Sequence, residues 1–240
     1  MPPSPSDNAE VMLDFNTTSL LDPTYASWVG QLSSHERDAL SQIGRLVKLG
    51  KGRLLYETGD PYEHLFIILK GVVKTFRTTH DGHCTVMAFL FERDLAGLGE
   101  GGAYANSAEV VEDLTAFQLP VHDLEVLLRS EAHLEMLLLC KACNELRAAQ
   151  QHAVLLSRHS ARTKVALFLN LIAERQVFDA GRLQLPMGRT DIANYLGLSV
   201  EAVSRAFRLL QAEGVVTLAG PRQVTISDRE MFARIVAQAD

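Results

Sequence analysis

One 26-residue stretch limits what this chain can fold into more than any other: "RTDIANYLGLSVEAVSRAFRLLQAEG", residues 189–214. Counted from Arg189, apolar residues fall at the fourth, eighth, tenth, fifteenth and eighteenth places: Ile192, Leu196, Leu198, Val203 and Ala206. The fifth place is Ala193 and the ninth is Gly197. Two helices that cross steeply need a small residue where they touch. The turn between them needs a backbone that tolerates positive φ, which glycine supplies. The apolar set is the smallest core that holds such a pair together. Ser199 stands where the second helix needs its N-cap, although Ala202 at the third helical position precludes a full capping box. The spacing predicts a helix-turn-helix.

The second helix buries Val203 and Ala206 and turns Glu201, Ser204, Arg205 and Arg208 outward. Glu201 and Arg205 are an i,i+4 pair, which as a plain surface salt bridge contributes only a few tenths of a kcal/mol. The alternative is chemical. In the major groove an arginine bonds guanine O6 and N7 bidentately, and a carboxylate accepts from cytosine N4. A carboxylate near phosphates is costly unless it reads a base, so Glu201 favours base reading. The charge distribution agrees. The chain carries a net −6, yet residues 157–223 hold nine Lys and Arg against five Asp and Glu. Local positive charge suits phosphate contact while the acidic remainder limits non-specific binding. Glu201, Ser204 and Arg205 are therefore the candidate base readers. Arg189, Ser199, Arg208 and Arg222 are the candidate phosphate contacts. The partner is double-stranded DNA.

Upstream, residues 33–45 read as a short helix capped by Ser33 or Ser34. Residues 46–120 are short apolar runs broken by turn signals, including Lys70-Gly71 and Asp81-Gly82. They predict many short strands in a barrel or jelly roll, with a type I′ hairpin tip at Asp81-Gly82. From about residue 121 the period becomes helical. Residues 131–157 contain no Pro or Gly. Leu139, Ala142, Leu146, Ala149, Ala153 and Leu156 recur at spacings of three and four, the seam of a dimer coiled coil. A further helix over about 160–178, a short strand at "RLQLP" and a hairpin around Gly220-Pro221 complete a winged helix-turn-helix. The fold class is α+β: an N-terminal β-roll, a long dimerisation helix and a C-terminal winged helix-turn-helix. The expected division is a flexible arm over 1–27, the β-roll over 28–130, the dimer helix over 131–158 and the DNA-binding domain over 159–240. No apolar run of membrane-spanning length and no secretory signal is present, and the three cysteines form no secreted framework, so the expected location is the cytoplasm.

"DIANYLGLSVEAVSRAF", with its E-x-x-S-R face, and "GDPYEHLFIILKGVVKTF" resemble the Crp/Fnr family of bacterial transcription regulators, nearest the FixK-like and Fnr-like branch without iron–sulfur ligands. "LLSRHSARTKVALFL" resembles that family's join between dimer helix and DNA domain. The resemblance covers residues from about 28 to 228. It implies a cyclic-nucleotide-binding-like β-roll and a homodimer. It also implies base reading by Glu201, Ser204 and Arg205 on a palindrome close to TTGAT-N4-ATCAA, and an effect on RNA polymerase.

Three departures bear on what is sensed. Gly99-Glu100 matches the cyclic-AMP-binding pattern, but Asn106 stands where that pattern has Arg, and a cyclic phosphate without its cation is poorly held. The first 83 residues contain no Cys for a four-cysteine cluster. "MAFLFERDLAGL" offers no haem-ligating His or Cys. The expectation is no cofactor and no metal. His80, His83 and Cys84 read as surface residues on a wet hairpin tip. Cys140 and Cys143 are either small apolar residues or a redox pair beside the seam. No nucleophile elbow, metalloprotease motif or P-loop is present, so an enzyme is not expected. The rival reading is a ligand-binding or protein-interaction module with a helix-turn-helix that no longer binds DNA.

Overall fold

The computed structural model describes residues 31–99, 102–158, 160–175 and 181–237. The expected arm at 1–27 and Glu100 lie outside them. The chain divides into two compact units. Among the described residues, one comprises the chain through Thr75 together with Phe89–Arg147, and the other Phe76–Ala88 with the chain from Ala148 onward. The division cuts the long helix and groups a β-hairpin with the C-terminal unit.

In the first unit, α1 (Ser34–Ile43) begins at Ser33, whose hydroxyl accepts from Glu36 N while Glu36 Oε2 accepts from Ser33 N, a complete capping box. The strands follow: β1 (Arg45–Leu49), β2 (Leu54–Tyr56), β3 (His64–Thr78), β4 (Cys84–Leu90), β5 (Leu95–Ala96) and β6 (Ser107–Pro120). Their sheet order is β1-β6-β3-β4, with β2 added to β6 and β5 to β3. β1 runs antiparallel to β6, with Arg45 opposite Gln118 and Leu49 opposite Leu114. Next come α2 (Val121–Leu128) and α3 (Ala132–Arg158). α1, α2 and the start of α3 lay Leu40, Leu124, Leu134 and Leu137 onto Leu65, Ile67, Phe117 and Leu119 of the sheet. Burying each such side chain contributes about 1.5–3 kcal/mol. A buried ion pair adds to this unit: Lys141 Nζ lies 2.7 Å from Asp94 Oδ1 and 2.8 Å from Glu145 Oε1. Burial acts to lower the Lys141 pKa, but Asp94 and Glu145 together outweigh it and hold the pKa above the usual lysine value.

Two turn expectations are corrected. Lys70-Gly71 is not a turn: β3 runs through it, and Gly71, at φ 98, is where the backbone of Asp113 comes so close that a Cβ would meet its carbonyl oxygen at 2.4 Å. The β3–β4 tip is not type I′. Gly82 has φ 81, whereas among the described non-glycine residues only Arg93 has positive φ. Gly82 N donates to Thr79 O and Thr79 N to His83 O, the pattern of a type I turn closed by one left-handed glycine. The Thr79 hydroxyl donates to Asp81 and so stabilises Asp81 in an ordinary conformation.

In the second unit, α4 (Ala161–Arg175), β7 (Arg182–Gln184), α5 (Arg189–Leu196), α6 (Val200–Ala212), β8 (Val216–Leu218) and β9 (Gln223–Ile226) follow in order. β7 joins the expected hairpin to form an antiparallel sheet ordered β7-β9-β8. The chain does not end on the hairpin. α7 (Arg229–Ala237) follows, its first turn capped by Asp228 Oδ1, which accepts from Met231 N at 2.8 Å, and Phe232 and Ile235 face inward. The core of this unit is built from Val165, Phe168, Leu169 and Ile172 of α4 with Ile192, Leu196, Val203, Phe207 and Leu210.

Candidate nucleic-acid interface

α5 ends where the apolar pattern requires. Gly197 adopts φ 61 and ψ 42 and donates its N–H to Ala193 O. Leu198 N also donates to Ala193 O, at 3.0 Å, so both bonds of the turn converge on one carbonyl. Ala193, Ile192 and Leu196 are buried, and Leu198 is half-buried. α6 then starts at Ser199, whose hydroxyl accepts from Ala202 N at 3.1 Å. One side of α6 buries Val203, Ala206, Phe207 and Leu210. That burial holds the helix and leaves the opposite side free. Glu201, Arg205 and Arg208 are exposed there and Ser204 is half-buried at the edge. The Glu201 pKa is lowered, first by its own backbone N–H and the Ser199 hydroxyl at the helix start, then by the Arg205 charge. The carboxylate is therefore ionised at neutral pH and acts only as an acceptor.

The four expected phosphate contacts occupy different settings. Arg208 and Ser199 are exposed on or beside α6, and Arg222 is exposed in the wing between β8 and β9. Arg189 is half-buried. Its guanidinium lies 3.4 Å from the centroid of the Phe207 ring, a cation–π contact that ties the start of α5 to α6. Its Nη1 is buried without a hydrogen-bond partner among the described residues, and burial lowers the Arg189 pKa to about 10. At the far end of α6, Arg162 Nε donates to Glu213 Oε2 at 2.7 Å and ties the helix to α4.

Comparison with known proteins gives this geometry a family. A Crp-like helix-turn-helix domain matches residues 163–235, and a cyclic nucleotide-binding domain matches 46–131. The chain is 34% identical over 205 residues to the transcriptional activator protein anr of Pseudomonas aeruginosa, covering 82% of this chain and 83% of that one. The chain belongs to the Crp/Fnr family of transcription regulators. It is also 28% identical to the fumarate and nitrate reduction regulatory protein of Escherichia coli K12, over 85% of this chain and 84% of the relative. Among solved structures, FixK2 from Bradyrhizobium japonicum superposes with a TM-score of 0.76 at 30% identity, covering 80% of this chain and 97% of that one. The helix-turn-helix of this Crp/Fnr regulator is thus a DNA-binding element, and the β-roll is of the cyclic-nucleotide-binding type. No described helix is long and apolar enough to cross a membrane.

The β-roll does not fit a cyclic phosphate at the Asn106-Ser107 step. Asn106 is half-buried and carries no charge, and the Ser107 hydroxyl is already engaged by Thr58 N at 3.0 Å and Thr58 Oγ1 at 3.1 Å. His80 and His83 are exposed and Cys84 is half-buried.

On α3, Leu139, Leu146, Ala149 and Ala153 of the expected seam are exposed, whereas Ala142 and Leu156 are half-buried. A straight helix drifts about 20° per heptad relative to a 3.5-residue repeat, so a strict heptad reading loses phase. Met136 and Cys143 stand on the exposed side with Leu139 and Leu146, and Cys140 is exposed as well. Two residues escaped the sequence reading: the half-buried His152 on α3 and the buried Lys164 on α4, which both bond the end of α5. The one available signal was a lysine in the otherwise apolar run Lys164–Phe168.

Proposed function

We propose that the protein acts as a homodimer that binds a two-fold symmetric DNA site close to TTGAT-N4-ATCAA and recruits or blocks RNA polymerase there. The observation that carries this reading is the division of α6 into two sides. Val203, Ala206, Phe207 and Leu210 are buried on one side, and the outward side carries an ionised acid, a hydroxyl and two guanidinium groups beside the exposed Val200 and Leu209. Glu201, Ser204 and Arg205 read base edges: Arg205 donates to guanine and Glu201 accepts from cytosine N4. Ser199, Arg208 and Arg222 contact phosphates and fix register without reading sequence. Arg189 adds positive charge at the start of α5 while bracing Phe207. The exposed apolar side of α3 pairs the two copies. The similarity to anr and FixK2 supports this assignment, as does the basic balance of residues 157–223. Transcription regulation of this kind places the protein in the cytoplasm.

The test is a mobility shift of the full-length protein at moderate salt, with TTGAT-N4-ATCAA and a scrambled duplex of equal length, alongside a native mass. A dimer mass and a shift confined to the palindrome support the proposal. A folded protein that shifts neither duplex, or both equally, would favour the interaction-module reading.

A further inference from the structure

The end of α5 is held by three contacts from α3 and α4. The His152 ring stacks on the Tyr195 ring, with centroids 4.0 Å apart and planes 4° from parallel. His152 Nε2 lies 2.7 Å from Tyr195 O. A carbonyl only accepts, so Nε2 carries the proton and donates. Lys164 is buried, and its Nζ donates to Leu196 O at 3.3 Å and to Leu156 O at 3.0 Å. Leu156 in turn faces Gly197, where a Cβ would come within 3.3 Å of its Cδ2.

Tyr195 O and Leu196 O are two successive carbonyls at the C-terminal end of α5, and Leu156 O is one of the last carbonyls of α3. Such groups lack intrahelical partners and carry the negative end of the helix dipole. One buried ammonium therefore satisfies the ends of two helices at once, and one imidazole satisfies the neighbouring carbonyl. Neither residue points to the face that reads bases. What the arrangement fixes is the angle and distance between the C-terminal part of α3, from Ala148 onward, and the helix-turn-helix.

We infer that His152 and Lys164 are positioning residues that set the protein's selectivity for the spacing between half-sites. This rests on the dimeric DNA-binding reading above. If α3 pairs two copies, a rigid joint between α3 and α5 fixes the separation of the two α6 helices. Half-sites read by such a pair lie about 34 Å apart, one turn of the duplex. One base pair added or removed moves a half-site by about 3.4 Å and rotates it by about a tenth of a turn. A rigid joint cannot follow that change, whereas a loosened one can.

The experiment measures fluorescence anisotropy of the full-length protein on TTGAT-N4-ATCAA, on the same duplex with the spacer one base pair shorter or longer, and on a single TTGAT half-site. His152→Phe keeps a ring against Tyr195 and removes only the donor. His152→Gln keeps an N–H donor, and Lys164→Met removes the ammonium. The wild type is expected to prefer the native spacer by about tenfold or more. His152→Phe and Lys164→Met are expected to reduce that preference to about threefold or less, with half-site affinity unchanged within about twofold. His152→Gln should retain most of the preference. A dimeric His152→Phe protein that keeps the wild-type spacer ratio would overturn the inference, as would His152→Gln behaving like His152→Phe. A wild type that binds the half-site but ignores spacer length would overturn the inference while leaving base reading intact. A wild type that binds none of the duplexes specifically would overturn the functional reading and the inference with it.

Discussion

Replacing Gly197 by Ala tests the turn on which the interface depends. Gly197 has φ 61 and ψ 42, the left-handed region, where a residue with a Cβ is disfavoured by roughly 1–2 kcal/mol. The new methyl would also sit 3.3 Å from Leu156 Cδ2, so Leu156 must give by a few tenths of an ångström. Against this, alanine restricts the unfolded chain more than glycine, which returns about 0.4–1 kcal/mol. With the contact strain included, the net loss is about 1–2 kcal/mol, or a fall in melting temperature of about 2–8 °C. Asparagine tolerates the left-handed region better, so Gly197→Asn should lose less than Gly197→Ala. Scanning calorimetry of the three proteins under one buffer reads both effects. An alanine variant that melts within about 1 °C of the wild type, or above the asparagine variant, would show that the turn does not require the glycine's freedom.

Three further outcomes follow from the same geometry. Lys141→Met removes the ammonium facing the buried Asp94 carboxylate and is expected to destabilise the β-roll by about 3–5 kcal/mol, while the double change Lys141→Met with Asp94→Leu should recover part of that loss in a denaturant titration. Arg208→Ala should weaken binding to all duplexes alike and reduce the slope of log affinity against log salt by about one, as read from anisotropy at several salt concentrations. The His152 pKa lies below its usual value of 6.5, chiefly because the ring is buried; Lys164 pushes the same way, while the carbonyl of Tyr195 and the backbone of Met87 oppose it. A histidine with a depressed folded pKa is protonated more readily when the structure opens. Stability is therefore unaffected above about pH 6.5 and lost as pH falls through the folded pKa. His152→Gln should flatten that acid limb in melts between about pH 7.5 and 5.

The legible part of this fold was local. Ile192, Leu196, Val203 and Ala206 could be read as buried because their spacing follows the helix period, and Gly197 because a turn at that place admits few other residues. The two serines at 33 and 34 announced the start of α1 but left the cap open between them, and the bond from Glu36 settles it on Ser33. The misread parts were those where one residue type serves two purposes. Gly71 carries the same signal as a turn glycine, yet it answers a close approach from Asp113, far away in sequence. Asp81-Gly82 has the composition of one turn type and adopts another because Thr79 bonds Asp81. α7 went unread although Asp228 caps it, since the hairpin already completed the expected fold. On α3, Ala142 and Leu156 share the heptad spacing of Leu139 and Leu146 but turn partly inward. The joint at Tyr195 and Leu196 was invisible because backbone carbonyls leave no mark on composition. In the interface itself, the exposed face of α6 could be named from the period alone, whereas the stacking of Arg189 on Phe207 could not.

The central claim is that Arg205 reads a guanine, and one double-substitution measurement addresses it directly. Wild type and Arg205→Ala are each titrated with TTGAT-N4-ATCAA and with the same duplex in which the G·C pair of both half-sites is replaced by A·T. The wild type should lose about 1–3 kcal/mol per altered half-site, and Arg205→Ala should lose clearly less, keeping only the share owed to Glu201 at the paired cytosine. If Arg205→Ala still distinguishes them as strongly as the wild type does, the guanidinium does not face that base.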